Sequence, residues 1–176
     1  SNFCKEMDIP EIILASTSSI YGDSGENLMI EDKDEKIKPP SVYASTKLSG
    51  ESLSKIILED TNIKLIIARF FTVYGPYGRP DMSILRFIHW IINEEKVKVF
   101  GNGEQQRSFT YIQDVVDALK SMSGLEKSFT FNVGSDITVS LNEVIKLIEN
   151  FSGKNANIEN LERAYKDPDV VRPNLG

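Results

Sequence analysis

Two short apolar runs, Glu11-Ile12-Ile13-Leu14-Ala15-Ser16 and Ile63 to Phe71, constrain the fold more than any other feature of the chain. Neither alternates polar with apolar residues. That is the pattern of strands covered on both faces, as in parallel sheets. Between them Val42, Leu48, Leu53, Ile56 and Ile57 recur at helical spacing, from Ser41 to about Glu59. Ser41 follows Pro39-Pro40 and is placed to cap the first turn. Strand, helix, strand of this length reads as a βαβ unit, and so as an α/β fold built on a parallel sheet.

Beyond Phe71 the elements become shorter. Gly75-Pro76-Tyr77-Gly78-Arg79-Pro80 is a turn-rich loop, followed by a helix from Met82 to about Asn93. A strand is expected at Val97–Phe100, a turn at Gly101-Asn102-Gly103 and a strand at Ser108–Tyr111. A helix from about Gln113 to Ser123 and a strand at Phe129–Val133 follow. Ser140 with Glu143 three residues on has the form of a capping box opening a last helix. The tail from Gly153 is polar and its pattern ambiguous. The chain therefore divides near residue 71 into a sheet-forming part, 1–71, and a lobe, 72–176.

Composition excludes several functions. The formal charge is −6 over 176 residues with no basic run, which argues against binding a nucleic-acid backbone. A single cysteine, Cys4, permits neither an intrachain disulfide nor a Cys-based zinc site. A single histidine, His89, rules out any mechanism needing two, and its apolar neighbours Ile88, Trp90, Ile91 and Ile92 mark it as structural. No apolar run approaches the ~18 residues of a membrane span, and no signal-peptide pattern opens the chain. A cytoplasmic setting is expected.

Two motifs carry chemistry. In Tyr43-Ala44-Ser45-Thr46-Lys47 the phenol and the ammonium stand at i and i+4 of a helix and share a face. A phenol is a poor base at neutral pH, and a nearby ammonium favours its ionised form. The spacing alone is weak, since about half a match is expected by chance in a chain of this composition. The second motif, Ser16-Thr17-Ser18-Ser19-Ile20-Tyr21-Gly22, gathers hydroxyls at the carboxyl end of the first strand, where ligands bind in open α/β sheets. A strand-end turn satisfied by its own hydroxyls gives the same pattern.

Together the motifs are far more specific. With Arg69-Phe70-Phe71-Thr72-Val73-Tyr74-Gly75-Pro76, the run Phe100 to Tyr111 and Asp114-Val115, the chain resembles the extended short-chain dehydrogenase/reductase family, in its nucleotide-sugar epimerase/dehydratase branch. The resemblance covers nearly the whole chain. It implies a Rossmann-like parallel sheet in 1–71 and a smaller α+β nucleotide-sugar lobe in 72–176. It assigns Tyr43 as the base that takes the proton of the sugar 4-hydroxyl, Lys47 as the holder of the nicotinamide ribose, and Thr17 as the hydroxyl on the same sugar oxygen. The cofactor implied is NAD, touched by Tyr43, Lys47 and Phe70. Thr72 is assigned to the sugar or diphosphate. Arg107 is assigned to the diphosphate, for which a guanidinium offers two parallel donors. Arg172, in Lys166 to Pro173, is the candidate second diphosphate arginine. Arg79 has two readings, a substrate contact and a salt bridge within its loop.

The resemblance also bears on the branch. Family dehydratases carry an Asp-Glu pair directly after the catalytic Thr, and the related decarboxylases a Glu; here Ser18 and Ser19 stand in those places. Arg69 to Met82 is most similar to UDP-glucuronate 4-epimerases. Oxidising a glucuronate at C4 gives a β-keto acid that loses CO₂ readily, so Ser18, Ser19 and Thr72 are expected to hold the carboxylate as hydroxyl donors. A dehydratase or decarboxylase, or a non-catalytic sugar-nucleotide binder, is the alternative. Neither Gly-x-Gly-x-x-Gly nor Gly-x-x-Gly-x-x-Gly occurs among the 11 glycines. The expectation is therefore that the strands bearing the NAD fingerprint, roughly 110 residues, and a last helical portion lie outside this chain, which alone is inactive. The resemblance further implies a homodimer of the full-length protein, formed through two helices, one being Ser41–Glu59.

Overall fold

The computed structural model describes residues 2–23, 28–31, 37, 39–163 and 168–175. Residues 32–36 of the charged run Glu31–Lys36, and Lys166 and Asp167 of the tail motif, lie outside them. Helix α1 (Asn2–Glu6) leads into β1 (Glu11–Thr17), a 3₁₀ turn (Ser18–Tyr21), α2 (Val42–Leu58) and β2 (Lys64–Phe70). There follow β3 (Thr72–Tyr74), α3 (Ser83–Ile92), β4 (Lys96–Phe100), β5 (Gln106–Tyr111), α4 (Ile112–Met122) and β6 (Phe129–Val133). The chain continues through β7 (Thr138–Ser140), α5 (Leu141–Ser152), β8 (Asn157–Leu161) and β9 (Val170–Val171).

The first sheet has the order β1-β2-β6, and both pairings are parallel. β2 is central: Leu65, Ile66, Ile67 and Ala68 are each at most 5% exposed. Coverage of both faces, expected for both runs, holds for β2 only. β1 is an edge strand among the described residues, and Ile13 and Ala15 on it are exposed. β6, from beyond residue 71, completes this sheet through Ala68, Val115 and Val133, packed with α4. A second sheet joins β3 and β9 in parallel and β7 antiparallel to β5. β4 and β8 form a separate parallel pair, so the polar tail supplies two strands that its sequence does not announce. Phe87, Ile91, Val97, Val99, Val144 and Ile145 form the core of this part.

Helix α2 begins as its sequence predicts, the Ser41 hydroxyl accepting from the Ala44 amide at 3.1 Å. Its buried stripe is different from the expected one. Ala44, Glu51 and Leu58 face inward, whereas Val42, Leu53 and Ile56 are 82%, 57% and 67% exposed. His89 is exposed and faces Asn93 and Glu95. Among the described residues no helix is long and apolar enough to cross a membrane.

The capping box at Ser140 is complete, with both Ser140 and Glu143 reaching the other's backbone. The Ser140 amide and hydroxyl hold the Glu143 carboxyl below the ordinary carboxylate range. A depressed folded pKa stabilises above the unfolded value of about 4.3, and that contribution is lost as pH falls through the folded value. Glu143→Gln is therefore expected to lower the urea midpoint near neutral pH and to approach wild type by about pH 2. Equal midpoints near neutrality would count against the cap. Ile145→Ala, at a site 2% exposed, should cost about 2–5 kcal/mol in the same unfolding measurement.

Candidate active site

The site lies where β1 and β2 end. Thr17 closes β1 with its side chain buried, and its hydroxyl caps the 3₁₀ turn: it accepts from the Ser19 amide and donates to the Ser19 hydroxyl, both at 3.2 Å. Ser18 is buried and Ser19 exposed. Tyr43 and Lys47 stand one turn apart near the start of α2. Tyr43 is half-exposed, and the Lys47 ammonium donates to the Ala15 carbonyl at 3.0 Å. That bond holds the helix against the end of β1, two residues before Thr17.

An open cleft of about 730 Å³ gathers four of the expected substrate residues, Ser18, Ser19, Thr72 and Arg107, with Ser41 and Val171 beside them. Thr72 arrives there because β3 follows β2 directly. Arg107 arrives on β5, its guanidinium donating to the carbonyls of Gln106 at 2.7 Å and Asp169 at 3.5 Å. Arg172 follows Val171; its side chain is exposed and its carbonyl accepts from the Met29 amide at 3.1 Å. Phe70 packs into the core around Val115 and Val133.

Arg79 lines a smaller neighbouring cleft of about 120 Å³ that also touches Thr72. Its guanidinium forms two bonds to Asp81, one of them Nε to Oδ1 at 3.0 Å. Those bonds raise the Arg79 pKa and lower that of Asp81, and the Arg79 charge also feels Tyr43. The loop salt bridge read from sequence is thus present, with Tyr43 within its electrostatic reach.

Two features escaped the sequence reading. One is a cleft of about 290 Å³ with aromatic walls, Phe87 and Phe100, and cations at Arg86, Lys98 and Arg163. The other is a buried ion pair, Arg69 and Glu51, each 1% exposed. Burial works against the Arg69 charge, but hydrogen bonds to Glu51 and Tyr21 outweigh it and raise its pKa. Burial pushes the Tyr21 phenol up, more than Arg69 draws it down. The sequence does set Glu51 eight residues after Tyr43 on the same helical stripe, and Arg69 is the one charge beyond the opening Lys64 in an otherwise apolar strand.

The chain is similar in sequence and in fold to known proteins. The family model described as "NAD dependent epimerase/dehydratase family" matches residues 2–134. The UDP-glucuronate 4-epimerase of Thermodesulfobacterium geofontis is 39% identical over 168 residues, covering 95% of this chain and 51% of that protein. An uncharacterized protein of Methanocaldococcus jannaschii is 40% identical over 173 residues, covering 97% of this chain and 52% of that protein. The UDP-glucuronic acid 4-epimerase of Bacillus cereus, solved with UDP-glucuronic acid and NAD, superposes with a TM-score of 0.91 at 33% identity; the match covers 99% of this chain and 55% of that one. The chain spans about half the length of the relatives it matches.

Proposed function

The chain belongs to the NAD-dependent epimerase/dehydratase family, and on that premise we propose that it forms the substrate-holding part of a nucleotide-sugar 4-epimerase acting on a UDP-glucuronate- or UDP-glucose-type substrate. The observation that carries this reading is the cleft that brings Ser18, Ser19, Thr72 and Arg107 together beside Thr17. Its described lining contains one cation and no carboxylate. Arg107 takes the diphosphate. Ser18, Ser19 and Thr72 donate to the substrate carboxylate, and Arg79 is a further cation for the same end of the sugar. Arg172 contributes to the diphosphate from the cleft margin.

Tyr43 takes the proton of the sugar 4-hydroxyl and returns one after the sugar has turned over in the site. Thr17 steadies the same oxygen, and Lys47 supplies positive charge on the face of α2 that bears the phenol. Tyr43 and Lys47 would hold NAD at its nicotinamide riboside, and the cofactor would supply reversible hydride acceptance at the sugar C4. The residues present fit the nicotinamide riboside end of that cofactor, because the Tyr43 phenol is half-exposed and Lys47, one helical turn on, reaches the end of β1. The 11 glycines form no dinucleotide fingerprint of the kind that holds a pyrophosphate. The exposed Val42, Leu53 and Ile56 on α2 support a homodimer through this helix. A cytoplasmic location suits a nucleotide-sugar substrate and the free Cys4.

Mass analysis of the product tests the reading. With UDP-glucuronate and NAD, the full-length gene product is expected to give an isomer of unchanged mass. Loss of water would assign a dehydratase, loss of CO₂ a decarboxylase, and no turnover a binding protein. In the epimerase, replacing both Ser18 and Ser19 by Ala should reduce kcat/KM on UDP-glucuronate roughly 10- to 100-fold, and that on UDP-glucose far less, because hydrogen bonds to a charged group are the stronger ones. An unchanged ratio between the two substrates would remove the carboxylate from that place.

A further inference from the structure

Helix α2 bears Tyr43, Lys47 and Glu51 at four-residue steps, so all three leave the helix on one face. Two of them grip consecutive residues of β1. Lys47 donates to the Ala15 carbonyl, and the Ser16 hydroxyl donates to a Glu51 carboxylate oxygen. Glu51 is itself fixed by Arg69, Nε to Oε1 at 3.1 Å and one terminal nitrogen to Oε2 at 2.8 Å. Parallel register sets Ser16 directly beside Arg69, so neighbours on two strands reach the same carboxylate.

Arg69 has a second arm. Its other terminal nitrogen donates to the Tyr21 hydroxyl at 3.0 Å and to the Glu31 carbonyl at 3.2 Å. The Tyr21 hydroxyl donates onward to the Asn132 side-chain oxygen at 2.8 Å. The segment Thr17–Ile20 is therefore tied at both ends to one ion pair, at Ser16 through Glu51 and at Tyr21 through Arg69. That segment holds Thr17, Ser18 and Ser19. A buried ion pair is a weak source of stability compared with apolar packing of the same volume. A bidentate pair does fix orientation, and this one joins the helix and the strand end that must meet at a single substrate oxygen.

We propose that the Glu51–Arg69 pair is a positioning device: through Ser16 and Tyr21 it fixes the Thr17–Ser19 segment against helix α2, and so sets the separation from which Thr17 and Tyr43 act on one sugar oxygen. This rests on the functional reading above. Neither residue touches substrate; both act through their neighbours.

The test uses the full-length gene product. Ser16→Ala and Tyr21→Phe each cut one tether while leaving both charges of the pair in place. With UDP-glucose, which lacks the carboxylate assigned to Ser18 and Ser19, each is expected to lower kcat roughly 10- to 100-fold, the scale of a small misplacement of reacting groups, with KM held within about 2-fold. In a Thr17→Ala background, Ser16→Ala should cost less than about 2-fold, since the group it positions is gone. A kcat within about 2-fold of wild type, or full additivity with Thr17→Ala, would overturn the proposal. Glu51→Gln should match or exceed the combined loss; if it does not fold, the two milder variants decide. If wild type itself turns over no nucleotide sugar, the functional reading fails, and amide hydrogen exchange then judges the tether. Faster exchange across Thr17–Tyr21 in both variants supports it, and unchanged exchange refutes it.

Discussion

Parallel pairing of β1 with β2 sets the geometry from which every other part of the site follows. The register puts Ser16 beside Arg69 and Thr17 beside Phe70. The next residues on each strand are the 3₁₀ turn on one side and Phe71-Thr72 on the other. Because β2 also pairs with β6 in parallel, the carboxyl ends of all three strands open on the same edge. Polar residues gather there: Thr17, Ser18, Thr72 and Asn132. A slip of one residue would exchange the faces of a whole strand, sending Arg69 to the opposite side and removing the partner of Glu51. The continuous apolar stretch Leu65–Ala68 supplies burial on both faces but little register information. The polar contacts at the strand ends are what single out one alignment.

Those contacts extend well past the first sheet. Asn132 donates from its side chain to the Met29 carbonyl at 2.8 Å, and its amide donates to a Glu31 carboxylate oxygen at 2.8 Å. Met29 in turn pairs with Pro173, its amide donating to Arg172 and its carbonyl accepting from Asn174. Segments 28–31 and 168–175 therefore form one wall, carried on the same network that begins at Glu51. Desolvating a guanidinium and a carboxylate is costly, and that cost is offset here because nearly every donor and acceptor finds a partner. The network joins the strand ends, helix α2 and the margin of the cleft into a single polar unit within apolar surroundings.

The local elements of this fold were legible in the sequence, because their signals are local. β1, α2, β2, the Ser41 cap and the Ser140–Glu143 box each depend on residues within a few positions of one another. The inward face of α2 was not legible, because it is lined by Ala44, Glu51 and Leu58 while apolar residues also occupy the outer face. β8 and β9 were missed for another reason: a polar strand such as Asn157–Leu161 forms only because β4, some sixty residues earlier, presents an edge to it. The motif residues Thr17, Tyr43 and Lys47 were readable from spacing and resemblance. The sequence alone does not pair Glu51 with Arg69, since a lone arginine in an apolar strand gains meaning only once its partner is known.

An anionic ligand poses an electrostatic question for a chain of net charge −6. Summed over the molecule, the field repels a nucleotide sugar. At physiological ionic strength, however, charges beyond about 8 Å are largely screened, so the groups that line the cleft decide. There the described lining holds Arg107 and a set of hydroxyls with no carboxylate among them. Two acidic residues on the elements around the site are held in ion pairs, Glu51 by Arg69 and Asp81 by Arg79, and Glu31 accepts from the Asn132 amide. Each ion pair offsets a negative charge. The cleft thus offers an anionic ligand of the proposed kind a guanidinium and several hydroxyls among its described lining residues, without a basic sequence run.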